Sequence, residues 1–389
     1  MTSRLEKAIN HYHKGEKEKA LAGFLKSAEL SPDSTVAHFN AAVIYHQFND
    51  LKKAVHHYRL AHKTDPEDPD ILFNLAISLK ELGRIEEALD CYYANLETNP
   101  GDTETRYNLG MLLMEKGLME EAASFFRKVL AIDPSHAPAC NNLAYLYHRL
   151  GMTSEALETY NLLLELNPAH KTAAHMKAAL TGDNPDHPPP EYIRDVFDQF
   201  QDYDKTMQDN LRYNIPRELG NLLCDCLPEK KQFDHVLDLG CGTGLAGPIF
   251  RSMTKRLTGI DLSINMLTQA EKKQIYDKLR QEEIVSFLRN TGQQYDLFLA
   301  ADVFVYSGDL LPVMGEIGKR SQTGGLLLFS TELAEKDFSL KKTGRYAHSA
   351  DYLKKTAGQC GFHLLQSRAA NIRKEKGEWI KGGFYLFGI

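Results

Sequence analysis

Small and aromatic positions recur every 34 residues over residues 1 to about 168. Ala20, Ala54, Ala88, Ala122 and Ala156 form one column, and Phe24, Tyr58, Tyr92, Phe126 and Tyr160 form a second, one helical turn further on. A small residue lets two helices approach, and an aromatic four residues later fills the space against the next pair. Gly15, Asn49, Gly83, Gly117 and Gly151 fall where the first helix of each pair must stop, and these residues tolerate a left-handed backbone. Pro32, Pro66, Pro100, Pro134 and Pro168 then end the second helix, because proline cannot continue it. The period predicts five helix–turn–helix units, with a further helix from Lys171 to about Leu180 as a cap.

These columns resemble the tetratricopeptide (TPR) family, an all-α solenoid. The resemblance implies a concave groove that takes an extended protein or peptide partner. Asn40, Asn74, Asn108 and Asn142 share one position in four successive repeats, where the first repeat has Glu6. A row of side-chain amides has donors and acceptors to grip the backbone of an extended chain. The row resembles the asparagine ladder of O-linked N-acetylglucosamine transferase. The competing reading is that each amide bonds within its own repeat.

The period stops at TGDNPDHPPP, residues 181 to 190, where four prolines exclude a regular helix and favour a stiff extended spacer. The expected domains are 1 to 182 for the repeats, 183 to 191 for a linker, and 192 to 389 for a second domain. Beyond the linker, apolar strand-like runs alternate with helical segments, the pattern of an α/β domain with a parallel sheet. The run HVLDLGCGTGLAG, residues 235 to 247, leads a buried strand into a glycine turn with Gly240, Gly242 and Gly244. Missing side chains there let a ligand lie against the backbone. The spacing is not the G-x-G-x-x-G of a dinucleotide turn, and Asp238 precedes the first glycine. This favours S-adenosylmethionine, which has an ammonium group and no phosphate. RLTGIDLS ends its strand in Asp261, 21 residues after Gly240, where a carboxylate can accept from ribose hydroxyls.

Together these motifs resemble class I S-adenosylmethionine-dependent methyltransferases, Rossmann-like α/β domains with a seven-stranded, mostly parallel sheet. FDQFQDYDKTM, AADVFVYSGDL and GRYAHSADYL resemble, more narrowly, predicted bacterial methyltransferases that carry TPR repeats. The resemblance implies cofactor contacts from Asp238, Gly240, Cys241, Gly242 and Gly244, from Asp261, Leu262 and Met266, and from Glu283 at the adenine edge. For Leu262 and Met266 ordinary packing is the competing reading.

Methyl transfer from a sulfonium is an in-line displacement, so alignment and exclusion of water carry most of the catalysis, and a base is optional. Tyr203, Arg345 and His348 are the catalytic candidates, with Arg345 a carboxylate clamp and His348 a base. Arg212, Asp302, Tyr306 and Tyr346 are candidates for the substrate. Ser349 alternatively caps a helix and leaves His348 on the surface. The tail NIRKEKGEWIKGGFYLFGI is expected to form two strands around a charged hairpin near Lys374 to Lys376, with Trp379 packing on the sheet.

Composition narrows the functions. The 389 residues exceed one ordinary domain, and a net charge of −6 gives no general attraction to nucleic acid or anionic lipid. The N-terminus lacks a signal-peptide core and no segment reaches the ~18 apolar residues of a membrane span, so a cytoplasmic protein is expected. The six cysteines show no zinc spacing. Three functions remain open: methyl transfer to a protein or peptide held by the repeats, methyl transfer to a small molecule with the repeats as a docking module, and a scaffold whose second domain has lost activity.

Overall fold

The computed structural model describes residues 2–197, 203–205, 207, 212–229, 232–375 and 377–389. Part of FDQFQDYDKTM, and Lys376 in the tail hairpin, lie outside the described residues. The chain divides into two compact units, Met1–Pro168 and Ala169–Ile389.

The first unit is five antiparallel helix pairs: α1 (Thr2–His13) with α2 (Lys17–Leu30), α3 (Thr35–Gln47) with α4 (Leu51–Thr64), α5 (Pro69–Glu81) with α6 (Ile85–Thr98), α7 (Thr103–Glu115) with α8 (Met119–Ile132), and α9 (Ala137–Leu150) with α10 (Thr153–Leu166). All five alanines of the small column are fully buried, and so, within a few per cent, are the five aromatics. Asn49 and the four turn glycines take positive φ, and each second helix stops two residues before its proline. The periodic residues therefore do the structural work their spacing predicts.

The second unit begins with α11 (Lys171–Thr181) and α12 (Pro190–Phe197), so the helix expected as a cap and the segment expected as a linker both belong to it. Residues 182 to 189 are irregular, as their prolines require. They are nonetheless pinned rather than free. Asn184 donates to Phe338 O at 3.0 Å and accepts from Leu340 N at 2.6 Å, Tyr346 donates its hydroxyl to Pro185 O at 2.8 Å, and Asp186 O accepts from the N–H groups of Gly308 and Asp309 at 2.9 Å. His175 of α11 donates through Nε2 to Gly344 O at 2.9 Å.

After α13 (Tyr203–Lys205) and α14 (Ile215–Cys226), strands and helices alternate: β1 (Phe233–Leu239), α15 (Gly247–Arg251), β2 (Thr254–Asp261), α16 (Ile264–Lys272), β3 (Lys278–Gln281), α17 (Ile284–Asn290), β4 (Tyr295–Ala300), α18 (Leu311–Arg320) and β5 (Ser321–Leu333). The hairpin β6 (Phe338–Leu340) and β7 (Tyr346–His348) follows, then α19 (Ala350–Gln359), β8 (His363–Glu375) and β9 (Glu378–Gly388). The sheet runs β3-β2-β1-β4-β5, all parallel, and continues through β9, antiparallel to β5, to β8. That is the seven-stranded, mostly parallel sheet. β7 pairs with the last residues of β5 and β6 with β7, an added hairpin at the end of β5. β1 lies between β2 and β4, so the strand order reverses there and opens a crevice at the carboxyl ends of the strands.

Ala122 is fully buried, so Ala122→Leu overpacks a helix pair and is expected to cost ~1–3 kcal/mol of stability, measured by urea unfolding of the whole chain.

Candidate functional site

Every residue of β1 except Asp234 is buried, and the strand delivers the glycine turn to the crevice. Gly240, Gly242 and Gly244 have φ of +64°, +54° and +83°. Their surroundings differ. A Cβ on Gly240 would meet Val303 Cγ2 at 2.8 Å and one on Gly244 would meet Tyr276 Cε2 at 2.9 Å, whereas one on Gly242 would enter open space. The turn is thus closed from below at two glycines and open at the middle one. Asp261, at the end of β2, accepts from Gly242 N through Oδ2 at 2.8 Å and from Ser263 N through Oδ1 at 2.9 Å. Ser263 in turn caps α16. Met266 is buried and Leu262 half-buried beside them.

Asp238 is buried under the turn and accepts from the Tyr276 hydroxyl at 2.7 Å. Burial pushes its carboxyl up to about 7, against the Tyr276 bond, which pulls it down. The Cys241 thiol is buried and pushed well up by burial, so it packs as a thiol. Glu283 has a structural role that its sequence position did not announce. Both its oxygens take backbone N–H groups, of Val285 at 2.9 Å and Ser286 at 2.8 Å, so its first task is that of N-cap to α17. Asp204 of α13, which the sequence did not single out, accepts from Thr243 Oγ1 of the glycine turn and pairs with Lys273, both at 2.5 Å. These bonds hold Tyr203 and its short helix beside the turn.

After β4, Asp302 has φ of +60°, a costly conformation for a residue with a side chain, and its N–H donates to Ser330 Oγ at 2.9 Å. Arg373 of β8, 1% exposed, donates to Asp302 at 3.4 Å, to Glu375 at 2.7 Å and to Glu332. Arg345 faces the same three carboxylates at 3.8–4.0 Å and lies 5.4 Å from the Tyr306 ring. Its Nη1 is buried with no hydrogen-bond partner. Burial raises the Tyr306 and Tyr203 hydroxyls, so at neutral pH both are donors and not bases. Arg345, Asp302, Tyr306 and Tyr203 are therefore brought together. Glu332, Arg373 and Glu375 complete the group.

Three expected residues stand elsewhere. His348 is fully buried, with Nε2 donating to Gly308 O at 3.0 Å and Nδ1 accepting from Thr331 Oγ1 at 2.7 Å. Desolvation depresses its pKa to about 4. With both nitrogens engaged it is a neutral structural pin, neither a base nor a surface residue. Ser349 does cap α19, through Tyr352 N. Tyr346 is buried on the same face of β7 as His348, its hydroxyl on Pro185 O, and so does not reach an acceptor. Strand alternation separates both from Arg345. Arg212 is exposed, with positive φ, and among the described residues nothing joins it to the cluster.

In the first unit, Asn40, Asn74 and Asn108 donate to the carbonyls of Val36, Asp70 and Glu104, four residues back, at 2.7–2.9 Å. Asn142 donates instead to Tyr107 Oη and Met111 Sδ. The amides are thus oriented within the array, and their Oδ1 atoms take no hydrogen bond among the described residues. No described helix is long and apolar enough to cross a membrane.

Residues 203–367 match a family described as "Methyltransferase domain". Residues 36–102, 73–137 and 113–180 match tetratricopeptide-repeat families. The chain is similar to the malonyl-[acyl-carrier protein] O-methyltransferase of Hamiltonella defensa, 31% identical over 118 residues, 30% of this chain and 45% of that one. To the same enzyme of Yersinia pestis it is 32% identical over 122 residues, 31% and 45% of the two chains. It spans under half the length of either relative. Among solved structures, YrrB, a TPR protein with an unusual peptide-binding site, is 30% identical, with a TM-score of 0.41, over 45% of this chain and 90% of its own. An S-adenosylmethionine-dependent methyltransferase of Clostridium acetobutylicum is 19% identical, with a TM-score of 0.38, over 48% and 96%.

A histidine depressed to about 4 from 6.5 contributes stability that is present above pH 6.5 and lost as pH falls through 4. Thermal melting of His348→Gln should accordingly depend less on pH between 6.5 and 4 than that of the unaltered chain.

Proposed function

We propose that this chain, which joins tetratricopeptide repeats to a class I, S-adenosylmethionine-dependent methyltransferase domain, transfers methyl groups to a carboxylate oxygen of an acceptor borne by a protein or peptide. The observation that carries the acceptor class is the Arg345 guanidinium, whose buried Nη1 lacks a hydrogen bond although three carboxylates lie within 4.0 Å. Those carboxylates are already engaged by Arg373. A carboxylate entering the crevice would supply the missing acceptor, and an arginine fork suits a planar carboxylate. The relatives point the same way: their names describe O-methylation of a malonyl group on a carrier protein, a carboxylate carried by a protein.

The glycine turn fits the cofactor, since Gly242 leaves room where Asp261 presents its carboxylate. Asp261 would take the ribose hydroxyls, Leu262 and Met266 the flanks of the adenine, and Asp238 the ammonium. S-adenosylmethionine, when bound, supplies a methyl on positive sulfur; a carboxylate oxygen forms the O–CH3 bond as the S–CH3 bond breaks, and the electron pair stays on sulfur. Such an acceptor gives up no proton in the displacement, which suits a site where His348 is locked and the tyrosines are protonated. Arg345 would orient the acceptor, with Tyr306 and Tyr203 closing the site to water.

For the repeats, the oriented amides of Asn40, Asn74, Asn108 and Asn142 support the capture of an extended chain, since their oxygens remain open to backbone N–H groups.

Calorimetric titration with S-adenosylmethionine tests the cofactor, and Asp261→Ala is expected to lose binding. Labelled methyl transfer to acyl carrier proteins with free carboxylates tests the acceptor. The product should be a base-labile ester, and Arg345→Ala should lower turnover about 10- to 100-fold with cofactor affinity unchanged. A base-stable product on nitrogen, or acceptance of free small acids alone, would sink the acceptor proposal. Replacing all four asparagines by alanine should weaken partner capture while melting stays nearly unchanged.

A further inference from the structure

Tyr276 comes from the loop between α16 and β3, and its ring fills a socket made by three glycines. A Cβ at Gly244 would meet its Cε2 at 2.9 Å, one at Gly247 would meet Cε2 and the hydroxyl at 3.2 Å, and one at Gly259 would meet Cδ1 at 2.9 Å. Gly259 lies in the middle of β2 and pairs with Asp238 of β1. A glycine there weakens a strand, and close approach of another group accounts for it. Three groups approach, Cys241 Sγ at 2.8 Å, Leu279 Cδ2 at 2.9 Å and the Tyr276 ring, and the Tyr276 hydroxyl reaches Asp238 Oδ2 at 2.7 Å. The other carboxylate oxygen of Asp238 takes no hydrogen bond among the described residues.

We propose that Tyr276 is a positioning residue of the cofactor site, holding Asp238 ionised and oriented so that its second oxygen accepts from the ammonium group of the cofactor. This rests on the reading of the domain as an S-adenosylmethionine site. Among the described residues, the titratable groups around Asp238 are the Tyr276 hydroxyl, the Cys241 thiol of the turn, Asp261 at the end of β2, and Tyr213 before α14. Asp261 disfavours a second negative charge, and neither the thiol nor Tyr213 supplies a positive one. Tyr276 alone among them donates a hydrogen bond to this carboxylate. Burial already brings Asp238 to about 7 with that bond in place. Loss of the bond moves the carboxyl further up and leaves it protonated at neutral pH, where it no longer attracts an ammonium.

The test is the affinity of the full chain for S-adenosylhomocysteine, which keeps the ammonium, measured by calorimetry from pH 6 to pH 8.5. Tyr276→Phe keeps the ring in its socket and removes only the hydroxyl. Its binding should weaken at a higher pH than that of the unaltered chain, about tenfold at pH 7 for each unit by which the midpoint rises. The ligand's own titration is common to both chains and drops out of the difference. Asp238→Asn should bind weakly with no such midpoint. If Tyr276→Phe fails to fold, Gly247→Ala, whose Cβ would meet Ile275 Cγ2 at 2.9 Å and the Tyr276 ring and hydroxyl at 3.2 Å and so displace them, should give the same upward shift. Coincident midpoints would overturn the proposal even if Tyr276→Phe melts lower, since a purely structural role moves the melting temperature alone. Absence of binding by the unaltered chain at every pH would remove the cofactor reading itself, and this proposal with it.

Discussion

Asp261 joins the end of β2 to the backbone N–H of Gly242, and the geometry of the crevice depends on that bond. A turn in which Gly240, Gly242 and Gly244 all take positive φ has few hydrogen bonds of its own. The carboxylate supplies one across the gap between neighbouring strands, and its second oxygen fixes Ser263, the cap from which α16 starts. One side chain therefore sets both the height of the turn and the direction of the helix beside it. The remaining groups gather around this frame: Tyr276 against Gly244, Val303 against Gly240, and Asp204 on Thr243.

Across the crevice the organising group is Arg373. Three carboxylates brought together in a largely buried site repel one another, and each would be costly to bury alone. A single guanidinium with five donors in a fork satisfies all three and holds Asp302 in a backbone conformation it would otherwise avoid. Arg345 arrives from the opposite strand pair and finds these acceptors already committed. The two arginines of one cluster are thus unequal, Arg373 saturated and Arg345 Nη1 without a hydrogen bond.

Much of this was legible in the sequence where the signal was local or periodic. The 34-residue columns specify the first unit because each repeat contacts only its neighbours, so spacing and contact coincide. The order β1, glycine turn, β2 and Asp261 was legible for a similar reason: the turn and its acidic partner follow adjacent parallel strands. The misses share a different cause. In GRYAHSADYL three polar residues looked equivalent, but the segment contains a strand, and alternation sends Arg345 to the crevice while Tyr346 and His348 enter the core. The capping role of Glu283 was hidden because nothing marked where α17 begins. Arg373 and Glu375 were hidden in what resembled a solvated hairpin, since a buried ion cluster built from β5, β8 and the end of β4 leaves no local pattern. Tyr276 was invisible because its three glycines are spread over the glycine turn, α15 and β2.

The straps formed by residues 182 to 189 and by α11 bear on where this chain can be cut. A Pro-rich stretch is the obvious place to separate two domains, yet Asn184 stitches the edge of β6, Pro185 and Asp186 occupy the donors of Tyr346, Gly308 and Asp309, and His175 closes on Gly344. A fragment begun at residue 192 would strip acceptors from buried donors at the same strand edge that carries Arg345. The second unit of the protein begins, in physical terms, at Ala169, 34 residues before its methyltransferase-family match starts at residue 203.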